Sequence, residues 1–127
     1  MPKRPTRAEL SILRVLWSRG RSTVREVHEH LHRDKPSAYT TTLKQLQMMA
    51  DKGLVHRDDA QRAHVYEARE APETTQAQLV HDLVDGAFAG SAARLVMHAI
   101  SGKRASAEEL AEIRKALDEA EGRRRKE

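Results

Sequence analysis

Small hydrogen-bonding side chains and a lysine share one face of a helix that we predict from Ser37 to about Lys52. At 100° per residue, Thr40, Thr41, Lys44 and Met48 lie opposite the apolar face of this helix, and Gln47 lies at the edge of that group. Threonine can contact base edges, thymine methyls or phosphates, and lysine can reach guanine acceptors or phosphate. This face therefore predicts a recognition helix that contacts the major groove of DNA.

Further candidate contacts surround this helix in the sequence. They are Tyr39 and Gln45 on the same helix, Arg21 and Arg25 before it, and Arg57, Arg62 and His64 after it. Residues 1–72 hold 14 Lys and Arg against 9 Asp and Glu, whereas residues 73–127 hold 9 against 10. A basic first half beside a near-neutral second half indicates that the first binds a polyanion and the second binds protein. The uneven charge by itself fits a solvated basic surface equally well.

Three histidines lie within five residues, and His28 and His32 share a helix face at a spacing of four. That spacing can hold zinc, but it needs further ligands, and the chain has no cysteine to supply them. A metal-responsive regulator using His28 and His32 is thus an alternative, and surface histidines are the simpler interpretation. No Ser/His/Asp set or glycine-rich phosphate loop is present, so we expect neither an enzyme nor a cofactor.

Helix boundaries in the first half are marked by repeated capping signals. Thr6 with Glu9 and Thr23 with Glu26 both have capping-box spacing, and Gly20 is a candidate C-cap. The predicted third helix ends at Gly53. Residues 54–57 and 63–67 then predict two short strands joined by the turn 58–62.

The predicted order is helix, short segment, helix, helix, hairpin, which is the order of a winged helix-turn-helix. The fold class expected is therefore mainly α with a small β-wing. We expect a winged-helix DNA-binding domain at residues 1–72, and Ala71-Pro72-Glu73 marks its boundary.

Residues 73–127 predict a helical dimerisation domain with a basic tail. Thr75 is a candidate start for a fourth helix, and Ser91 can cap a fifth. Ser106 with Glu109 has the spacing of a third capping box, which would start a sixth helix, and residues 123–126 predict a frayed end. Three short helices bury little surface alone, so a second copy is the simplest partner for their apolar stripes. The candidate dimerisation residues are Leu79, Leu83, Phe88, Leu95, Val96, Leu110, Ile113 and Leu117.

The hydropathy of the chain predicts neither a membrane span nor a secreted protein. No apolar run approaches the length of about 20 residues that a span needs, and the first residues lack the apolar stretch of a signal peptide. The absence of cysteine fits a reducing compartment, so we expect a cytoplasmic protein.

The chain resembles the BlaI/MecI/CopY family, the penicillinase repressors. Five segments carry the resemblance in the first half: residues 9–17, 23–27, 38–43, 52–55 and 62–66. Residues 88–91 with Leu95 and Val96 carry it in the second half. The Tyr-Thr-Thr start of the third helix with the His-x-Tyr of the wing is the more specific part of the match.

The resemblance implies a homodimer that represses genes for cell-wall antibiotic resistance or a related stress. It also implies an inverted-repeat operator built on TACA and TGTA half-sites, with Tyr39, Thr40, Thr41 and Lys44 at the DNA. Copper-responsive members carry a cysteine cluster that this chain lacks. Penicillinase repressors are cleaved at an Asn-Phe bond, by a protease under the control of a sensor, and His98 and Ala99 occupy that place here.

Two hypotheses of function follow. The first is an operator-binding repressor that is released by proteolysis of its dimerisation helices. The second is a winged-helix module that binds another protein and never contacts DNA. The basic first half, with Thr40, Thr41 and Lys44 on one helix face, favours the first hypothesis.

Overall fold

Six helices and three short strands make up the computed structural model, which describes residues 4–32, 39–102 and 104–126. The elements in chain order are α1 (Arg7–Arg19), β1 (Ser22–Thr23), α2 (Val24–Leu31), α3 (Tyr39–Lys52), β2 (Val55–Asp58), β3 (Val65–Ala68), α4 (Pro72–Gly86), α5 (Ala92–Ile100) and α6 (Ala107–Lys126). They fall into a first unit, Met1–Leu79, and a second unit, Val80–Glu127. None of the described helices is long and apolar enough to cross a membrane.

Both predicted capping boxes form at the starts of α1 and α2. The Thr6 hydroxyl accepts from the Glu9 amide at 3.2 Å, and the Glu9 carboxylate accepts from the Thr6 amide at 2.8 Å. Thr23 and Glu26 make the same pair of bonds at 3.2 and 2.9 Å. Each box satisfies amide donors that the first helical turn leaves without partners. The predicted cap of α3, Ser37, lies outside the described residues.

A three-stranded antiparallel sheet with the order β1-β3-β2 forms the wing and its base. Tyr66 of β3 pairs with Ser22 on one side and with Arg57 on the other. Strand β1 was predicted only as a short segment, because two residues carry no periodicity. The hairpin strands begin one or two residues later than the predicted 54–57 and 63–67, so the loop between them spans 59–64.

The core of the first unit gathers side chains from α1, α2, α3 and the sheet. Its buried apolar members are Ile12, Leu13, Leu16, Val24, Val27, Leu46, Met49, Val55 and Tyr66. Trp17 closes one side, where its Nε1 donates to the Glu70 carbonyl at 3.0 Å. The elements around this core follow one another as helix, strand, helix, helix and hairpin, which is the order of the predicted winged helix-turn-helix. The predicted fold class is therefore confirmed.

The chain after the hairpin forms helices, as predicted, but two boundaries differ. Helix α4 begins at Pro72 and not at Thr75, because proline lacks the amide donor that a first helical position leaves unpaired. Residues 123–126 continue α6 and are not frayed. Ser91 caps α5 as predicted, accepting from the Arg94 amide at 3.1 Å. Ser106 and Glu109 form the predicted third capping box.

Candidate nucleic-acid interface

The outward face of α3 is a continuous exposed surface in the first unit. Its members are Thr40, Thr41, Lys44, Gln47, Met48 and Asp51, all exposed. The opposite side is fixed by Thr42, Leu46 and Met49, which are buried in the core. Three of the predicted recognition residues therefore point to solvent together, and Gln45, at the flank, is half-buried.

Tyr39 begins α3 and links its amino-terminal end to α2. Its ring meets the His28 ring edge-on, with centroids 5.6 Å apart, and 37% of the residue remains exposed. His28 is itself buried, and its ring centroid lies 6.0 Å from that of His32. The two histidines do approach each other, yet the described residues contain no group of three metal-ligating side chains. Among the described residues, the buried His28 Nδ1 has no hydrogen-bond partner, and the Tyr39 ring is its aromatic neighbour on α3.

A groove of about 470 Å³ opens between α2, α3 and the wing loop. It is lined by Thr23, Val24, Arg25, Tyr39, Leu43, Arg62, Ala63 and His64. Arg25 and Arg62 line it from different elements, and none of the ion pairs found among the described residues includes either of them. Such a groove, beside the start of α3, presents positive charge to solvent.

The other predicted basic side chains near the wing, Arg21, Arg57 and His64, each lie beside an aspartate. Arg21 pairs with Asp58 at 2.5 Å, and Arg57 Nε lies 2.9 Å from Asp59. His64 Nε2 lies 3.6 Å from the same Asp59 carboxylate. Asp59 raises the pKa of Arg57, while the Ala60 amide and then Arg21 lower the pKa of Asp58. Contacts of Arg21 and Arg57 with phosphate would therefore replace existing ion pairs.

Apolar side chains of the second unit are nowhere fully covered. No residue is buried within 80–102 and 104–126, the parts of this unit that the structure describes. Among the predicted dimerisation residues, Leu83, Val96 and Leu117 are exposed. Phe88, Leu95, Leu110 and Ile113 are half-buried, as is Leu79 at the end of the first unit.

The aligned cleavage bond lies near the end of α5. His98 and Ala99 are both exposed. The His98 ring stands 5.6 Å from the Phe88 ring, and its carbonyl accepts from the Ser101 hydroxyl at 3.0 Å. A protease that needs an extended substrate would have to unwind this last helical turn first.

Four further exposed residues belong to these surfaces and were not among the predicted site residues. Gln47 and Met48 lie on the outward face of α3, and Val80 and Met97 are 49% and 64% exposed in the second unit. The helical wheel already placed Gln47 and Met48 near that face.

Comparison with known proteins agrees with the predicted resemblance. A family profile described as penicillinase repressor matches residues 5–119. The transcriptional regulator BlaI of Mycobacterium tuberculosis, in the two strains CDC 1551 / Oshkosh and H37Rv, is 37% identical over 119 residues, which cover 89% of this chain and 82% of that protein. The solution structure of apo-NmtR is 24% identical with a TM-score of 0.45, and the match covers 82% of this chain and 75% of that one. The chain belongs to the penicillinase repressor family of transcriptional regulators, as its resemblance to BlaI/MecI/CopY proteins predicted.

Proposed function

We propose that this transcriptional repressor binds a palindromic operator as a homodimer, with α3 of each subunit in the major groove. The observation that carries the proposal is the exposed outward face of α3, with Thr40, Thr41 and Lys44 in one patch beside a cationic groove. A helix of this kind can present short hydrogen-bonding groups to base edges while a lysine reaches guanine or phosphate. The domains proposed for the two tasks remain 1–72 and 73–127.

The cations around α3 have two different parts in this proposal. Arg25 and Arg62 line the groove without ion pairs to described residues, so they are ready to meet backbone phosphates. Arg21, Arg57 and His64 are held by Asp58 and Asp59 and must exchange partners first. Phosphate contacts of the first kind set most of the affinity, and base contacts from α3 set the specificity.

Homodimer formation through the second unit follows from its incomplete burial. A unit with no buried residue in its described part has no core of its own, and Leu83, Val96, Met97 and Leu117 leave apolar surface in water. A second copy covers such stripes with an identical set, in the self-complementary manner of a two-fold dimer. Two linked winged helices then match the two half-sites of an inverted repeat.

Release of the operator by proteolysis completes the proposal. Cleavage at His98 and Ala99 would separate α6, with Leu110, Ile113 and Leu117, from the winged helix and so weaken the dimer, until each half-site is bound alone. The exposure of His98 and Ala99 supports access to that segment. Mapping the cut by mass spectrometry, after the cells meet a cell-wall antibiotic, tests this part separately.

Lys44→Ala provides the test of operator recognition. Lys44 is exposed and alanine is a stronger helix former, so the fold should be unaffected. If Lys44 pairs with a base, the variant should lose about 1–3 kcal/mol of affinity for the inverted repeat of TACA and TGTA half-sites, and little for random DNA. Gel-shift titrations on both DNAs, with Trp17 fluorescence as a check of folding, measure the difference. Equal binding of both DNAs by the wild type and the variant would contradict the proposal and favour a protein-binding module.

Asp59→Asn should strengthen binding to DNA of any sequence. The change releases Arg57 and His64 from a shared carboxylate and removes one negative charge from the wing. Each cation that gains a phosphate steepens the dependence of log K on log[salt] by about 0.9. Glu73→Gln is the matched control, because it changes the net charge equally at an exposed residue outside the groove. If both variants bind random DNA with the same salt dependence, the wing does not contact DNA.

A further inference from the structure

An apolar side chain lies exposed in the middle of the outward face of α3. Among the described residues of the first unit, the large apolar side chains that remain exposed are Tyr39, at 37%, and Met48, at 52%. Both belong to α3. Tyr39 already packs against His28, whereas Met48 projects from the face opposite the core.

Met48 continues the row of predicted recognition residues along the helix. It follows Lys44 by four residues and Thr41 by seven, and both spacings place side chains on one helix face. The inward neighbour Met49 is fully buried, so the helix has one methionine in the core and the next outside it. A methionine in this row would contact the same surface as Thr41 and Lys44.

We propose that Met48 reads the methyl group of a thymine in each operator half-site, an inference that rests on the proposed function. In the major groove, the C5 methyl of thymine is the apolar group that base pairs present, and it differs from the polar edge of every other base. Methionine suits such a contact because its unbranched, polarizable side chain adapts to the position of the methyl group. Met48 thus adds apolar specificity to the hydrogen bonds from Thr40, Thr41 and Lys44.

Replacing thymine by deoxyuridine tests this contact, because it removes the methyl group and leaves base pairing unchanged. Each thymine of the TACA and TGTA half-sites is substituted in turn, in both half-sites together. At one position, wild-type affinity should fall about fourfold per half-site, which corresponds to one buried methyl group. Met48→Ala should bind the thymine and deoxyuridine operators equally at that position.

Two control variants separate this contact from a general weakening of binding. Met48→Leu keeps an apolar side chain and should keep the deoxyuridine effect, and Lys44→Ala should bind more weakly overall and also keep it. The inference is overturned if the wild type binds the operator but no thymine shows an effect that depends on residue 48. If the wild type shows no preference for the operator over random DNA, the proposed function fails, and this inference fails with it.

Discussion

Leu83→Asp should turn the proposed homodimer into a monomer and weaken operator binding by about 10²–10⁴-fold. Linking two binding modules raises the apparent affinity by this factor without any new contact, because the second half-site is bound intramolecularly. A carboxylate at the subunit contact would be buried without a partner, which costs far more than an apolar contact gains. The charge therefore acts on the association and not on the contacts with DNA.

Leu83 suits this test because the substitution has little to disturb within one chain. The residue is 49% exposed, and no described residue of the second unit is buried, so the aspartate remains in water until a second copy approaches. Thermal unfolding of the first unit, followed by Trp17 fluorescence, should be unchanged. The loss of affinity can then be assigned to the lost subunit contact.

The experiment measures mass by sedimentation and operator affinity by titration for the wild type and the variant. Ala111→Asp is the control, because it adds the same charge at an exposed residue of α6 away from the stripe of Leu110, Ile113 and Leu117. It should leave both quantities unchanged. If the Leu83→Asp protein remains a dimer and binds the operator with wild-type affinity, this face of α4 is not part of the subunit interface. Release of the operator by cleavage would then have no basis.

Local signals predicted most of the secondary structure. Capping boxes mark a helix start within three residues, so Thr6, Thr23 and Ser106 placed α1, α2 and α6 correctly. Apolar periodicity likewise separated the buried Leu46 and Met49 from the exposed Thr40, Thr41 and Lys44. These features depend on neighbours within one or two turns, and the sequence displays them directly.

Contacts between distant residues could not be predicted in the same way. Strand β1 exists because Ser22 meets Tyr66, and nothing in a two-residue segment indicates that pairing. Asp58 was assigned to a turn, yet it neutralises Arg21 from 37 residues away. Lys52 was treated only as the end of α3, although it pairs with Glu9, 43 residues before it. The charge available for DNA thus depends on tertiary ion pairs that composition does not reveal.

Lys52→Met should destabilise the winged helix by about 3 kcal/mol at neutral pH, since breaking a buried ion pair leaves its other charge uncompensated. The Lys52 ammonium donates to both Glu9 oxygens, at 3.0 and 2.8 Å. Glu9 is only 3% exposed, and its carboxylate has one further donor, the Thr6 amide. Removing lysine would leave this buried carboxylate with one of these three hydrogen bonds, the one from the Thr6 amide.

The free energy of unfolding lost in Lys52→Met should depend on pH. General damage to the core would lower the free energy of unfolding without this dependence. Burial alone would raise the pKa of Glu9, but bonds from Lys52 and Thr6 outweigh it and hold the pKa below the ordinary 4.5. In the wild type the pair therefore contributes stability above pH 4.5, which is lost as pH falls through the lowered pKa. Without Lys52, only the bonds with Thr6 oppose the effect of burial, so we expect the pKa of Glu9 to be higher in the folded variant than in the folded wild type.

The stability difference between wild type and Lys52→Met should consequently be largest near pH 7 and shrink toward pH 4. Urea unfolding across this range, followed by Trp17 fluorescence, measures it. The double variant Glu9→Gln/Lys52→Met should recover part of the loss at pH 7, because glutamine is uncharged and its amide oxygen can still accept from the Thr6 amide. A loss that is independent of pH and is not recovered in the double variant would mean that the Lys52 side chain stabilises the domain through packing and not through its charge.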